Sequence, residues 1–228
     1  MLYNIGMFRK IKKKLYKNFL KDKFLITDIE GDSLEYEIFD LSIKRLTDPI
    51  GSSFEIGVRR GMGSKKIIDA YRKYHPHLNE YTHIGLDPYG ELPYNFSEKN
   101  KSNTNHDYTD LMKREMLINF SKKYKEFNFV NLDTTEFFQR FKDGYPIYSK
   151  VKKIIDKFEI VHFDGLHDDE NVNLEIDFFL NHLCKQTIFI LDDIDTFDFD
   201  SIKKKLNKNN FKLLESGKRK ASFELLLN

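Results

Sequence analysis

Two kinds of residue in this chain are placed to do chemistry: glycines at a strand-to-helix turn, and aspartates at the ends of short apolar runs. SFEIGVRRGMGSKKI puts Glu55, Gly57, Gly61 and Gly63 where a strand gives way to a helix. Glycine lets backbone approach a ligand closely, and the following helix N-terminus favours negative charge. Two familiar loops fail the spacing. A phosphate-cradling GxxxxGK[ST] would need glycine where Met62 stands, and the dinucleotide pattern GxGxxG does not match GxxxGxG. The next apolar run, in YTHIGLDPYGELP, ends in Asp87. At the tip of the strand after a glycine loop, a carboxylate is placed to accept hydrogen bonds from ribose hydroxyls. An ordinary Asp-Pro turn is the plainer reading. The third run ends in Asn131-Leu132-Asp133-Thr134, where Asp133 either borders a nucleobase or caps the helix beginning at Thr134.

The fourth and fifth runs, in EIVHFDGLHDDE and TIFILDDID, also end in aspartates. In a parallel sheet the carboxyl ends of neighbouring strands lie side by side, so Asp164, Asp192 and Asp193 are expected to converge. Three carboxylates repel one another unless a cation neutralises them, and hard oxygen ligands select Mg²⁺ or Ca²⁺. Taken singly, each is an ordinary cap or turn residue. His167, three residues beyond Asp164, has the chemistry of a general base. His75, His77 and His106 have no partner at a ligand spacing and receive no role, and Cys184 reads as a packing residue inside an apolar helix.

These residues need a scaffold, and from residue 53 the pattern supplies one. Strands are expected over 54–58, 83–87, 127–132, 158–163 and 187–191. Helices are expected over 64–75, 108–126, 135–142, 169–183 and 201–207. Strands alternating with helices of this length argue βαβ units and a parallel sheet. The near-continuous apolar character of EIVHF and TIFIL suits strands covered on both faces. The final runs, 211–215 and 222–227, flank SGKRKA and read as an antiparallel hairpin. Residues 1–50 form an N-terminal helical or lid segment. Within it RKIKKKLYKNFLKDK, residues 9–23, is either a basic helix for an anionic partner or the solvated face of an amphipathic one. The polar stretch 94–107 is a lid over a substrate or a solvated insertion.

Composition bounds the function. The 228 residues suffice for one sizeable core, and 21 Phe with 12 Tyr exclude a disordered chain. Lys and Arg number 38 against 36 acids, so global charge makes no case for nucleic acid or membrane. One cysteine excludes an internal disulfide framework and fits a reducing compartment. No run approaches a membrane span, and MLYNIGMFRKIKKK is too short in apolar residues for a secretory leader. A cytoplasmic protein is expected.

Together, EIGVRRG, LDPYGELP, FVNLDTTEFF, FDGLHDDE and ILDD resemble, in order and spacing, the class I S-adenosylmethionine-dependent methyltransferases. The nearest likeness is to the metal-dependent O-methyltransferases related to macrocin O-methyltransferase. The resemblance implies a Rossmann-like domain over residues 51–228: a seven-stranded, mostly parallel sheet with helices on both faces and a C-terminal antiparallel β-hairpin. It implies that Glu55, Gly57, Arg60 and Gly61 line the methionine end of S-adenosylmethionine. Asp87 would hold the ribose, with Asp133 and Thr134 beside the adenine. Asp164, Asp192 and Asp193 would bind a divalent cation, Mg²⁺ first, and His167 with Asp164 would be catalytic. The chain departs from the family's pattern at Gly63-Ser64, Leu166 and Asp169. The expected reaction is methyl transfer to a hydroxyl of a small molecule or sugar, with a homodimer left open. Rival readings are another transferase or hydrolase of this fold, a non-catalytic binding or scaffold protein, or a nucleic-acid methyltransferase. Against the last, FDGLHD lacks the [DNS]PP[YF] motif of nucleobase-methylating enzymes.

Overall fold

The structure, a computed structural model, describes residues 29, 31, 33, 35–78, 80–90 and 109–226. The basic stretch 9–23, the polar stretch 94–107 with His106, and the end of the last expected strand lie outside the described residues.

Five parallel strands form the core of the molecule: β1 (Ser52–Ile56), β2 (Thr82–Leu86), β3 (Phe127–Val130), β6 (Phe158–Phe163) and β7 (Leu183–Leu191). β8 (Phe211–Ser216) and β9 (Ala221–Leu225) add an antiparallel hairpin, giving the order β3-β2-β1-β6-β7-β9-β8. The expected fold class is the one observed. α1 (Glu37–Lys44) precedes β1, and between the strands run α2 (Met62–Tyr74), α3 (Asp110–Lys123), α4 (Thr134–Arg140), α5 (Asp169–Phe179) and α6 (Phe199–Lys208). None of the described helices is long and apolar enough to cross a membrane.

Strand side chains alternate between two apolar layers, as a sheet covered on both faces requires. Phe54, Ile56, Val161, Phe163, Phe189 and Leu191 face α4, α5 and α6, where Phe137, Ile176, Phe179 and Ile202 are buried. The intervening Ile160, Ile188 and Ile190 face α1 and α2, packing on Phe39, Ile43, Ile67 and Tyr71. The N-terminal segment expected over residues 1–50 thus enters the described structure as α1, with Ile38 and Phe39 in this second layer. Phe54 anchors the first layer, its ring centroid 5.1, 5.4 and 5.0 Å from those of Phe137, Phe158 and Phe179.

Three of the differences from the sequence reading have a physical cause in the residues themselves. β1 ends at Ile56, two residues early, because Gly57 turns to φ +81 and leaves the strand. α5 stops at Phe179, so Cys184 lies in β7 and not in a helix, its thiol within reach of the Phe158 and Gln186 carbonyls. The polar pair Lys185-Gln186 disguised the first half of that strand. A separate hairpin, β4 (Tyr145–Tyr148) with β5 (Lys152–Ile155), was not expected, because each strand is four residues long and Pro146 interrupts the first.

Phe54→Ala should lower unfolding free energy by about 3–5 kcal/mol, through lost transfer energy and the cavity left among three aromatic rings. Urea titration followed by circular dichroism reads it; a loss below about 1 kcal/mol would mean the ring cluster does not hold the layer together.

Candidate functional site

Strand register builds the site. Ile56 pairs with Leu86 on one side and Phe163 on the other, Leu86 with Val130, and Phe163 with Leu191. The next residue of each strand is therefore Gly57, Asp87, Asn131, Asp164 or Asp192, side by side along one edge. The ladder continues through them: Gly57 N donates to Leu86 O (2.9 Å), Asp87 N to Val130 O (3.1 Å), Asp164 N to Ile56 O (2.9 Å) and Asp192 N to Phe163 O (3.0 Å). Strand order reverses between β1 and β6, the switch point where open α/β sheets bind ligands. A cavity of about 340 Å³ opens there. Gly57, Asp87, Asp133, Thr134, Asp164, His167, Asp192 and Asp193 line it; Glu55, Arg60 and Gly61 do not.

The glycines answer to packing as much as to any ligand. A Cβ on Gly57 would lie 1.7 Å from the Asp164 carbonyl oxygen, so β1 and β6 approach this closely only with glycine here. Gly61, at φ +86, begins α2 against the Phe120 ring. Glu55 points away from the cavity into a buried chain of hydrogen bonds. Its Oε1 faces His162 Nδ1 at 2.9 Å, and its Oε2 accepts from the Ser64 hydroxyl. Ser64 Oγ is 2.9 Å from His83 Nε2, and His83 Nδ1 is 2.7 Å from Ser53 Oγ. Burial opposes the Glu55 charge, but His162 and His83 hold its pKa down at about 2. Arg60 reaches Glu115 of α3 at 3.7 Å. These three residues brace the loop. Sequence reasoning passed over His83 and His162, although polar side chains at inward positions of apolar strands were a signal.

Asp87 is 1% exposed and holds the loop from the other side. Its Oδ2 accepts from Val58 N and Arg59 N, both at 2.9 Å, and its Oδ1 from Tyr89 N at 3.0 Å. Burial lifts its pKa to about 6 against these three amides. Asp133 caps α4, as one of its two readings had it, accepting from Glu136 N at 2.7 Å, and it also lines the cavity.

The aspartates of β6 and β7 meet cations that sequence reasoning did not place. Leu191 pairs with Ala221 in the antiparallel β7–β9 ladder, which sets Lys220 beside Asp192 and Arg219 beside Asp193. Lys220 Nζ donates to Asp192 Oδ2 and Arg219 Nη2 to Asp193 Oδ1, while Asp192 Oδ1 accepts from Asp193 N at 2.8 Å. His167 Nε2 lies 3.5 Å from Asp164 Oδ1 and 3.4 Å from Asp193 Oδ2. Thr196 fixes this corner, its single hydroxyl proton shared between the Asp193 and His167 carbonyls at 2.7 and 3.1 Å. Burial drives Asp192 toward neutrality, but the Lys220 charge overrides it and holds the pKa low. Burial raises Asp164 to about 6, with the His167 hydrogen bond pulling against it. For His167, burial opposes the charge, yet the hydrogen bond to Asp164 and the neighbouring acids raise its pKa above the ordinary value.

A divalent cation was expected on Asp164, Asp192 and Asp193, and the residues present do not fit it. Such an ion is held through charged carboxylate oxygens, with water completing its shell. Both Asp192 oxygens and one of Asp193 are already engaged. Among the described residues, the one trio of potential ligands with donor atoms within 4.8 Å of one another is Glu55, His162 and Asp164, not the expected three.

Compared by sequence, the chain matches no family model and no curated protein. Compared by structure, it is similar to the O-methyltransferase NovP, at TM-score 0.59 and 14% identity over 83% of this chain and 78% of that one. It is also similar to a Streptococcus mutans protein solved in complex with SAH, at 0.53 and 7% over 86% and 100%. A third is ribosomal protein L11 methylase from Lactobacillus delbrueckii subsp. bulgaricus, at 0.51 and 13% over 86% and 79%. At these identities the likeness establishes a shared fold.

Beneath the cavity wall, Glu175 of α5 is 1% exposed, and its Oε1 has no hydrogen-bond partner. Burial lifts its pKa from 4.5 to about 8. In the unfolded chain this carboxyl ionises near 4.5, whereas in the native state it stays protonated to about 8. Between those values the unfolded state alone releases the proton, so native stability falls as pH rises, by up to about 1.4 kcal/mol per pH unit. Glu175→Gln should remove this component. Urea midpoints at about pH 5 and about pH 8 should diverge less in the variant than in the wild type; parallel changes in the two proteins would show that Glu175 is ionised in the native state.

Proposed function

We propose that this chain is an S-adenosylmethionine-dependent methyltransferase acting on a hydroxyl of a small molecule or sugar. The observation that carries the reading is the row Gly57, Asp87, Asp164, Asp192 at the mouth of one cavity, at the sheet's switch point. The residues fit such a nucleoside cosubstrate. Gly57 presents bare backbone to the cavity. Asp87 keeps acceptor capacity beyond its three amide bonds, enough for a ribose hydroxyl. Asp133 and Thr134 line the same cavity and would border the adenine. Bound there, S-adenosylmethionine would supply an electrophilic methyl group on a sulfonium.

This chain's own contribution is positioning and proton transfer. His167 stands at the far side of the cavity from Asp87, between Asp164 and Asp193. In its neutral form it can take the proton of an acceptor hydroxyl, and the imidazolium that results is stabilised by the two carboxylates. Displacement at the methyl carbon depends on a straight line from acceptor oxygen to sulfur, so a cavity fixed by strand ends suits it. The NovP likeness favours an oxygen acceptor, and the acid–base pair His167–Asp164 favours an acceptor that must lose a proton. The expected metal has no part in this scheme.

Calorimetry with S-adenosylhomocysteine should show saturable one-to-one binding, and its absence at millimolar ligand would remove the reading. Asp87→Ala should weaken that binding by about tenfold or more, near 1.4 kcal/mol. His167→Ala should leave it within about threefold while abolishing transfer of labelled methyl groups to a panel of phenols and nucleotide sugars. Because His167 must be neutral to accept a proton and its pKa is raised, wild-type transfer should rise with pH through that raised value.

A further inference from the structure

We propose that Lys220 is the resident cation of this site: its ammonium neutralises Asp192 from beneath the cavity floor and closes the acidic strand ends to divalent cations. The claim goes beyond methyl transfer and holds whichever ligand the cavity takes.

The placement is covalent and fixed by register. Because Leu191 pairs with Ala221, the residue before β9 falls beside the residue after β7. Lys220 is 0% exposed, and its Nζ donates to Asp192 Oδ2. Around the rest of the ammonium lie the rings of Tyr36 and Phe39, with centroids 5.9 and 5.8 Å from Nζ. Their faces favour a cation but offer it no second carboxylate. The backbone is held as well. Glu35 accepts from Lys218 N, Arg219 N and Lys220 N at 2.7, 3.0 and 2.8 Å. The ammonium therefore cannot swing out to water without unpacking α1 and freeing this turn.

Charge and geometry agree. Asp164, Asp192 and Asp193 face His167, Lys220 and Arg219, so each acid has a basic neighbour supplied by the chain. A divalent cation entering the cavity would have to strip Asp192 from a fully buried ammonium. That ammonium would then be left charged, dry and unpaired, which costs more than most ion pairs return. Removing the lysine charge reverses the balance. It leaves a buried carboxylate in want of a cation, with Asp193 and Asp164 close by.

Mn²⁺ is the probe, followed by electron paramagnetic resonance and by thermal unfolding. Wild type is expected to show no saturable Mn²⁺ site and no Mn²⁺-dependent shift in Tm. Lys220→Met keeps the length of the stem and removes the charge; it should be less stable, and Mn²⁺ should raise its Tm. Adding Asp192→Asn to Lys220→Met should restore stability and abolish the response to Mn²⁺, which mere loss of packing would not do. If Lys220→Met does not fold alone, recovery of its circular dichroism by Mn²⁺ or by Asp192→Asn is the same readout. One-site Mn²⁺ binding by the wild type that Asp192→Asn removes would overturn the proposal. So would a Lys220→Met protein that neither Mn²⁺ nor Asp192→Asn improves.

Discussion

Buried carboxylates set the terms for this fold. A charge taken out of water must be matched by donors or by an opposite charge, or else it is neutralised by a proton. Each solution appears at a different point of one sheet or of the helix α5 packed on it. Glu159, at the amino-terminal edge, accepts from the amides of Ile50, Gly51 and Ser52 and from the Tyr71 hydroxyl. Glu55 is matched by two histidines and a serine, Asp87 by three amides, and Asp192 by an ammonium. Glu175 has no partner at one oxygen and keeps its proton instead. The acids at the cavity are the continuation of this rule at the carboxyl edge, where some acceptor capacity is left facing outward.

Those matches also hold the strand ends in place. Asp87 binds the backbone of the loop after β1, although it belongs to the tip of β2. Asn131, at the tip of β3, donates to the Asp87 carbonyl at 3.0 Å. Gly57 lets the tip of β6 close against β1. Neighbouring tips are thus cross-braced by short polar contacts above two apolar layers. Apolar packing sets the spacing of the strands, and the contacts at their ends set the shape of the cavity. Neither could do the other's work: apolar side chains have no directionality, and a few hydrogen bonds could not bury Phe54 or Phe189.

Most of this architecture was legible because it is local. Apolar runs ending in acids, spaced by amphipathic helices, required a parallel sheet, and a parallel sheet required the acids to meet. The aspartates at 87, 164, 192 and 193 line the cavity for that reason. What could not be read depends on pairings between distant segments. Lys220 lies in SGKRKA, an ordinary basic turn, until the ladder of β9 on β7 brings it under Asp192. Glu55 looked like a ligand residue because it precedes the glycine loop, yet strand alternation turns it to the α2 face, where His162 and His83 wait. The same alternation, followed through THIGL and EIVHF, would have shown those histidines on that face. Cys184 was misplaced because Lys185 and Gln186 broke an apolar run that the strand itself tolerates.

A lysine in place of a mobile ion changes what an acidic edge can do. A divalent cation gathers oxygen ligands and lends an acceptor hydroxyl direct stabilisation of its anion. A buried ammonium held by one carboxylate offers no open coordination position, and Asp192 stands between it and the cavity. Lys220 therefore acts on the cavity only by cancelling charge: it lets Asp192 remain ionised while removing much of its repulsion toward Asp164 and Asp193. The field that remains is set by His167 and Arg219 on the cavity side. Under the proposed methyl transfer, activation of an acceptor would fall to a base that can hold the proton, and His167, flanked by Asp164 and Asp193, is the candidate.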